Sequence, residues 1–258
     1  MPLTGRRIAI TRPKAQFDSL AEAVRLHGGI PIAAPLLEIV GTDHNPELQT
    51  AAEHLSQYRL AIFISPNAVA HSLPTLLAHQ PWPASLQVAA IGPGTAKTLA
   101  ENGIFNCWLP PDSQFDSEGL LGRPELQSTA IGKQRVLLLR GEGGRELLAD
   151  TLIARGAIVE AISSYRRQAP QNIAIPFIEG WANKQLDGIL LSSSESLDNL
   201  LKALTAEQHL PLSQTPLFVP HSRIAERCRN AGLQRVVLTP PAEEGMLAGL
   251  LAYNWQTP

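Results

Sequence analysis

The chain has 258 residues, 44% of them hydrophobic, and its 21 basic and 23 acidic side chains leave a formal charge of −2 at pH 7. That length suits one large domain or two of ordinary size, each able to bury its own core, and two is our expectation. The near-neutral balance, with basic residues scattered instead of striped, argues against nucleic acid as a partner; the isolated Cys107 and Cys228 form neither a disulfide framework nor a CxxC pair, and a reducing cytoplasm is expected.

The opening MPLTGRRIAITRP has no long apolar core before Pro13 and reads as a first strand, not a signal peptide. It runs into Arg12, a helix with apolar Leu20 and Val24, a helix-ending Gly28 and a second strand. From Leu60 to Ala96 no Asp, Glu, Lys or Arg occurs, but Pro66, Pro74, Pro81, Pro83 and Pro93 are expected to break this stretch into short pieces of buried core, so no membrane segment is read. Within it AIFISPNAV carries a strand to Ser65, and AAIGPGTAKTLAENG carries another past Gly92 and Thr95 into a helix. LPPDSQFDSEGLL, residues 109–121, then gives a Pro-Pro turn and a helix opening near Glu-Gly.

From Arg135 the chain repeats itself. RVLLLRGEGGRELLADTLIARGAIVEAISSYR falls on residues 7–38 at a constant shift of 128, placing Arg140 over Arg12, Leu148 over Leu20, Leu152 over Val24 and Gly156 over Gly28. The same shift sets ILLSSSESL on AIFISPNAV, with Ser193 over Ser65. With one residue inserted, LFVPHSRIAERCRNAG matches AAIGPGTAKTLAENG, and TPPAEEGML matches the Pro-Pro block. Four blocks in the same order indicate a duplication within one chain.

Each block is an apolar strand, a loop and a helix, the alternation that builds a parallel sheet covered on both faces, so the expectation is an α/β protein of two similar doubly wound domains. Ligands of such sheets gather at the carboxyl ends of the strands. The polar residues expected there are Thr11 and Arg12, Ser65 to Asn67, Gly92 to Thr95, Arg140 to Arg145, Ser192 to Ser194, and His221 to Arg223. Two such faces turned toward each other would form a cleft, and function is expected there.

Chemistry narrows the ligand. RGEGGRE puts Gly141, Gly143 and Gly144 between a strand and a helix and flanks them with Arg140 and Arg145, which suits an anion, although a tight turn alone would need the same glycines. GxGxxG fails at Glu146 and no GxxxxGK[ST] occurs, so no dinucleotide is invoked. Ser65 and Ser193 lie outside any GxSxG and are read as helix caps whose hydroxyls also face ligand. The histidines show no metal-ligand spacing; His27, His44, His54, His71, His79 and His209 are assigned surface or core roles, and His221 a ligand-facing loop. No metal or organic cofactor is expected. Tyr165 sits on a strand, where packing is the ordinary role, but beside Arg166 and Arg167 its phenol is also a candidate proton donor.

Taken together, ITRP with its following helix and GG, FISPNAV, IGPGTA, LLLRGEGGRELLADTLIARGA leading into SSYRR, SSSES and PPAEEGML resemble the uroporphyrinogen-III synthase family over nearly the whole chain. The resemblance implies two flavodoxin-like or Rossmann-like domains that exchange their first strand-helix-strand units. One would join residues 1–36 to 170–258, the other would span 39–165, and linker strands at 37–40 and 166–169, bracketed by Pro35 and Pro170, would connect them. It implies a cytoplasmic enzyme that closes linear hydroxymethylbilane, a polyanionic tetrapyrrole, into uroporphyrinogen III. The terminal hydroxyl leaves, the azafulvene cation is attacked at the substituted carbon of ring D, and a spiro intermediate fragments and recloses with that ring inverted.

By resemblance Tyr165 matches the tyrosine proposed to help the hydroxyl leave. The expected substrate contacts are Arg12, Ser65, Asn67, Gly92, Thr95, Arg140, Gly141, Gly144, Arg145, Ser193, Ser194, His221, Ser222 and Arg223. Where many members carry a Gly-Pro-Thr-Thr-Ala-like turn, this chain has His221-Ser222-Arg223-Ile224-Ala225, so the local role passes to Ser222 and Arg223. A monomer is expected, with transient contact to the preceding or following enzyme of the pathway. A cleft-forming binding protein or sensor, and a nucleotide-sugar transferase, are the other classes that share the two-domain pattern; the second normally needs a longer chain and a clear donor site.

Overall fold

The computed structural model describes residues 2–42, 44–78, 80–111 and 114–255; His79, and Asp112 and Ser113 of the first Pro-Pro block, lie outside the described residues. In chain order the main elements are β1 (Arg7–Ile10), α1 (Asp18–Leu26), β2 (Ile30–Ala33), β3 (Glu38–Gly41), α2 (Pro46–Glu53), β4 (Leu60–Phe63), α3 (Pro66–Leu76), β5 (Gln87–Ala90), α4 (Pro93–Glu101), α5 (Ser117–Leu121) and α6 (Ser128–Ile131). They continue with β6 (Arg135–Gly141), α7 (Leu147–Ala154), β7 (Ile158–Gln168), α8 (Ile175–Ala182), β8 (Gly188–Leu190), α9 (Ser194–Ala203), α10 (Ala206–Gln214), β9 (Leu217–Val219), α11 (Ser222–Asn230), β10 (Val236–Leu238) and α12 (Ala242–Ala252).

The chain divides into two compact units: one is built from the chain up to Glu38 together with Gln168 onward, the other from Ile39–Arg167. The first holds the sheet β10-β9-β8-β1-β2, and the second is organised on β3-β7-β6-β4-β5. The pairs β1·β2, β1·β8, β8·β9 and β9·β10, and the pairs β4·β5, β4·β6 and β6·β7, are all parallel. β3 is an edge strand beside β7, and its contacts, Glu38 with Gln168 and Thr42 with Ser164, run in opposite directions along the two segments.

The internal repeat is visible in the register. Arg7 pairs with Ile30 as Arg135 pairs with Ile158, and Ile8 pairs with Gly188 as Val136 pairs with Leu60, each set related by the 128-residue shift. The partners are exchanged, because β1 and β2 from the first half join β8 and β9 from the second, while β6 and β7 join β4 and β5. Helices α1 and α7 bury equivalent positions, Leu20, Ala21 and Val24 in one and Leu148, Ala149 and Leu152 in the other. Both are followed by glycine at φ 86°, Gly28 and Gly156, a left-handed conformation that a side chain would strain.

Strand alternation feeds a core on each face of each sheet. Along β4, Leu60 and Ile62 enter one apolar cluster with Val136, Leu138 and Leu152, while Ala61 and Phe63 enter another with Val69, Leu137 and Leu139. Along β1, Ile8 and Ile10 pack with Leu20, Phe218 and Met246, whereas Ala9 packs with Leu191, Leu217 and Val219. Burial of a side chain such as Phe63 or Phe218 stabilises by roughly 1.5–3 kcal/mol.

One sequence expectation needs correction. Pro66 and Pro93 stand at the first positions of α3 and α4, where their missing N–H has no helical partner to lose, but Pro74 lies inside α3 and does not end it. It falls near the carboxyl end of an 11-residue helix, so a single interior bond is forgone while Leu73 and Leu76 stay buried on either side. Among the described residues no helix is long and apolar enough to cross a membrane.

Candidate active site

In each sheet the chain order reverses at one place, and such switch points leave a crevice at the carboxyl ends of the strands. In the first unit it lies between β1 and β8, and in the second between β4 and β6. The candidate residues collect around these two points as two groups, one per unit: Arg12, Ser193, Ser194, His221, Ser222 and Arg223 follow β1, β8 and β9, while Ser65, Asn67, Gly92 and Thr95 follow β4 and β5, Arg140 and Gly141 end β6, and Gly144 and Arg145 follow it.

In the second unit β7 carries Tyr165 inward, 3% exposed, against the cluster that holds Phe63 and Leu139. Its hydroxyl lies 3.1 Å from Ser65 Oγ. Ser65 also caps α3, accepting the Ala68 N–H at 3.1 Å. The β6·β7 ladder slips between Arg140 and Gly141, so that Gly141 stands opposite Tyr165. A Cβ on Gly141 would come within 2.5 Å of Tyr165 Cζ and 2.9 Å of its hydroxyl oxygen, so the glycine is needed because the phenol lies on its backbone. The glycine thus makes room for a side chain of the protein itself. Gly143, at φ 69°, serves the turn itself.

The surroundings of Tyr165 also differ from expectation. Arg166 and Arg167 are exposed, and the phenol has Ser65 and the His71 ring as polar neighbours, the His71 centroid being 6.1 Å away. His71, on α3 beyond Ser65, sets its ring beside the phenol.

The arginines are engaged by carboxylates of the protein. Arg140 Nη1 donates to Glu146 at 2.7 Å, and this hydrogen bond holds the Glu146 carboxyl below the usual carboxylate range. Arg140 Nε is buried with no partner among the described residues, as is Ser194 Oγ. Buried donors of this kind call for a partner. Arg145 pairs with Glu118 at 2.7 Å, and Arg12 pairs with Glu243 at 2.5 Å, where Ser19 Oγ also donates to the carboxylate at 2.7 Å. Glu118 and Glu243 belong to the two Pro-Pro blocks, but the repeat sets Glu118 over Glu244 and so does not disclose these acidic partners.

The remaining candidates occupy helix starts. Ser193 caps α9 by accepting the Ser196 N–H at 3.0 Å, and Gly92 is the residue before α4, with Thr95 buried in its first turn. His221 precedes α11 without a side-chain cap, and His221, Ser222 and Arg223 are all exposed. Asn67 is half-buried in the first turn of α3. A cavity of about 360 Å³, lined by Arg12, Lys14, Phe17, Asp18, Ala33 and Pro35, opens at the carboxyl ends of β1 and β2. A larger one of about 440 Å³, lined by Arg6, Trp181, Arg235 and Tyr253 among others, lies at the amino ends of the strands, where none of the candidates sits.

Known proteins share the family and the fold of this chain. The family model described as HEM4, uroporphyrinogen-III synthase HemD, matches residues 18–248. The uroporphyrinogen-III synthase of Salmonella typhimurium is 33% identical over 243 residues, covering 93% of this chain and 97% of that protein; the Escherichia coli one is 32% identical over 245 residues, covering 93% and 97%. Among solved structures, a mutant uroporphyrinogen III synthase from Thermus thermophilus superposes with a TM-score of 0.58 at 16% identity, covering 95% of this chain and 96% of that one, a likeness of fold. The uroporphyrinogen-III synthetase of Helicobacter pylori gives 0.57 at 16% identity, covering 94% and 97%. The chain belongs to the uroporphyrinogen-III synthase family.

Proposed function

We propose that this uroporphyrinogen-III synthase gathers the carboxylates of linear hydroxymethylbilane on its strand-end loops and uses the Tyr165 phenol to help the terminal hydroxyl leave. The observation that carries the reading is the Tyr165–Ser65 pair beside the β4/β6 switch point, where a hydrogen-bonded phenol stands at the end of a crevice-forming strand. A phenol has one transferable O–H proton, which suits an acid that must deliver it to a leaving oxygen. Its burial keeps bulk water from competing for that proton.

The chemistry asks more of orientation than of covalent help, because the substrate itself ionises and recloses. The guanidinium groups of Arg12, Arg140 and Arg145, the unpaired Arg140 Nε and Ser194 Oγ, and the backbone N–H groups opening α3, α4, α9 and α11 supply donors on both units for a ligand bearing many carboxylates. The internal carboxylates Glu118, Glu146 and Glu243 keep these guanidinium groups oriented until substrate carboxylates replace them. The enzyme works as a monomer in the cytoplasm and holds no metal or organic cofactor in this reading.

Amide hydrogen exchange tests the proposed site. Saturating uroporphyrinogen III should slow exchange in the 141–146 turn and the first turns of α3, α4, α9 and α11, and leave the residues around Arg6 and Arg235 unchanged. Protection confined to the latter cavity would contradict the assignment.

A further inference from the structure

We infer that Ser65 is a positioning residue for Tyr165: its hydroxyl donates to the phenol oxygen, which turns the phenol's own proton toward the departing hydroxyl of the substrate. The inference rests on the reading of Tyr165 as the acid and adds a second residue to it.

The hydrogen-bond inventory sets the direction. A serine hydroxyl has one proton and two acceptor positions. Ser65 Oγ already accepts the Ala68 N–H at 3.1 Å, and its other contact is the Tyr165 hydroxyl at 3.1 Å. If the phenol donated to Ser65, its proton would be spent inside the protein and the acid would be idle. With Ser65 as donor, a single chain runs from the Ala68 N–H at the start of α3, through Ser65, to the phenol oxygen, and the phenol proton remains for the ligand. The 11-residue helix α3 adds the positive end of its dipole to that chain.

The same geometry leaves the ring little freedom. One side of the phenol lies on Gly141, where even a methyl group would meet Cζ at 2.5 Å, and the His71 ring packs nearby at 6.1 Å between centroids. Ser65 therefore decides the hydrogen-bonding state of the oxygen more than its location.

The phenol O–H bond breaks and its proton goes to the terminal hydroxyl oxygen; the carbon–oxygen bond of the substrate breaks with its electron pair on oxygen, and water departs from the azafulvene cation. The phenolate that remains accepts the Ser65 O–H, a bond strengthened by the new charge. The proton shed when the closing pyrrole ring regains aromaticity restores the phenol.

Steady-state kinetics on four variants test the inference, with heat-induced unfolding followed in parallel to correct for the lost helix cap. Ser65→Ala should lower kcat about tenfold, the size expected when one hydrogen bond to a developing charge is removed, with KM little changed. Ser65→Thr, which keeps the hydroxyl, should recover most of that loss. Tyr165→Phe with Ser65→Ala should be no slower than Tyr165→Phe alone. If the two losses multiply, or if Ser65→Ala chiefly raises KM, Ser65 acts on substrate and not through Tyr165, and the inference is overturned. Wild-type turnover in Ser65→Ala beside a slow Tyr165→Phe overturns it while leaving the acid in place. Wild-type turnover in Tyr165→Phe removes the acid reading itself.

Discussion

The hydroxyls of Tyr165 and Ser65 lie 3.1 Å apart although 100 residues separate them in the chain, and the pair joins the end of β4 to β7 across the tip of β6. Removing the phenol oxygen should therefore affect turnover more than folding. Tyr165→Phe is expected to lower kcat by one to two orders of magnitude, roughly 1.4–3 kcal/mol of barrier, without abolishing it, because the substrate hydroxyl is labile on its own. The lost hydrogen bond should cost about 1 kcal/mol of stability. Turnover at the wild-type level in a variant with a lowered Tm would assign Tyr165 to packing alone.

Weakening the anion contacts should change the product and not merely the rate. Hydroxymethylbilane closes unaided to the uninverted isomer I, so a site that holds its carboxylates loosely lets that background compete. Arg140→Ala combined with Arg145→Ala is expected to lower the share of isomer III and raise that of isomer I, with total porphyrinogen unchanged once substrate is exhausted. Glu118 and Glu146 are substantially exposed, so solvent screens both ion pairs and their loss should leave the fold nearly as stable as before. Chromatographic separation of the isomers reads the effect.

The Glu-Gly of the Pro-Pro blocks carries a packing prediction. A Cβ on Gly245 would lie 2.3 Å from the Pro240 carbonyl oxygen, and one on Gly119 would lie 2.0 Å from the Gln114 carbonyl oxygen, whereas one on Gly94 in α4 meets nothing within 4 Å. Gly245→Ala should destabilise by about 1–3 kcal/mol, as overpacking against backbone does. Gly94→Ala should stabilise by up to about 1 kcal/mol by reducing the freedom of the unfolded chain. Thermal unfolding of both variants decides, and equal shifts in Tm would count against the packing account.

The buried Tyr58 and Cys228 and the half-buried Cys107 should make the fold sensitive to alkali. Burial pushes Tyr58 and Cys107 up to about 12 and Cys228 up to about 11, the hydrogen bond to Glu160 adding to the effect at Tyr58. In the unfolded chain the thiols lose their protons near about pH 8.5 and tyrosine near about pH 10. Since the folded state holds the protons more tightly, the associated stability is fully present below those unfolded values and is lost as pH rises toward the folded ones. The urea midpoint should fall between about pH 8 and about pH 11, and thiol reagents at about pH 8 should not label the buried Cys228 until the protein is denatured. Rapid labelling of Cys228 in the native protein would contradict this.

Much of this architecture is legible in the sequence because a repeat is a comparison within one chain. The shift of 128 that sets Arg135 on Arg7 is the same shift that relates the strand registers, and Gly28 and Gly156 share both a sequence role and a φ of 86°. Ser65 and Ser193 cap α3 and α9 as their place at apolar strand ends suggests. What stays hidden depends on side chains meeting across strands. No local pattern discloses that Gly141 makes room for Tyr165, that Glu118 and Glu243 meet Arg145 and Arg12, or that His71 approaches the phenol. Pro74 departs from expectation because the usual penalty for proline inside a helix is small where only one bond near the end is lost.

The most direct measurement is the isomer composition formed when the wild-type protein is mixed with freshly generated hydroxymethylbilane. Uroporphyrinogen III should be the dominant product, formed faster than the spontaneous closure. If the folded protein, at concentrations well above substrate, yields only isomer I at the spontaneous rate, the chain does not steer ring D, and the roles assigned to Tyr165, Ser65 and the arginines are wrong.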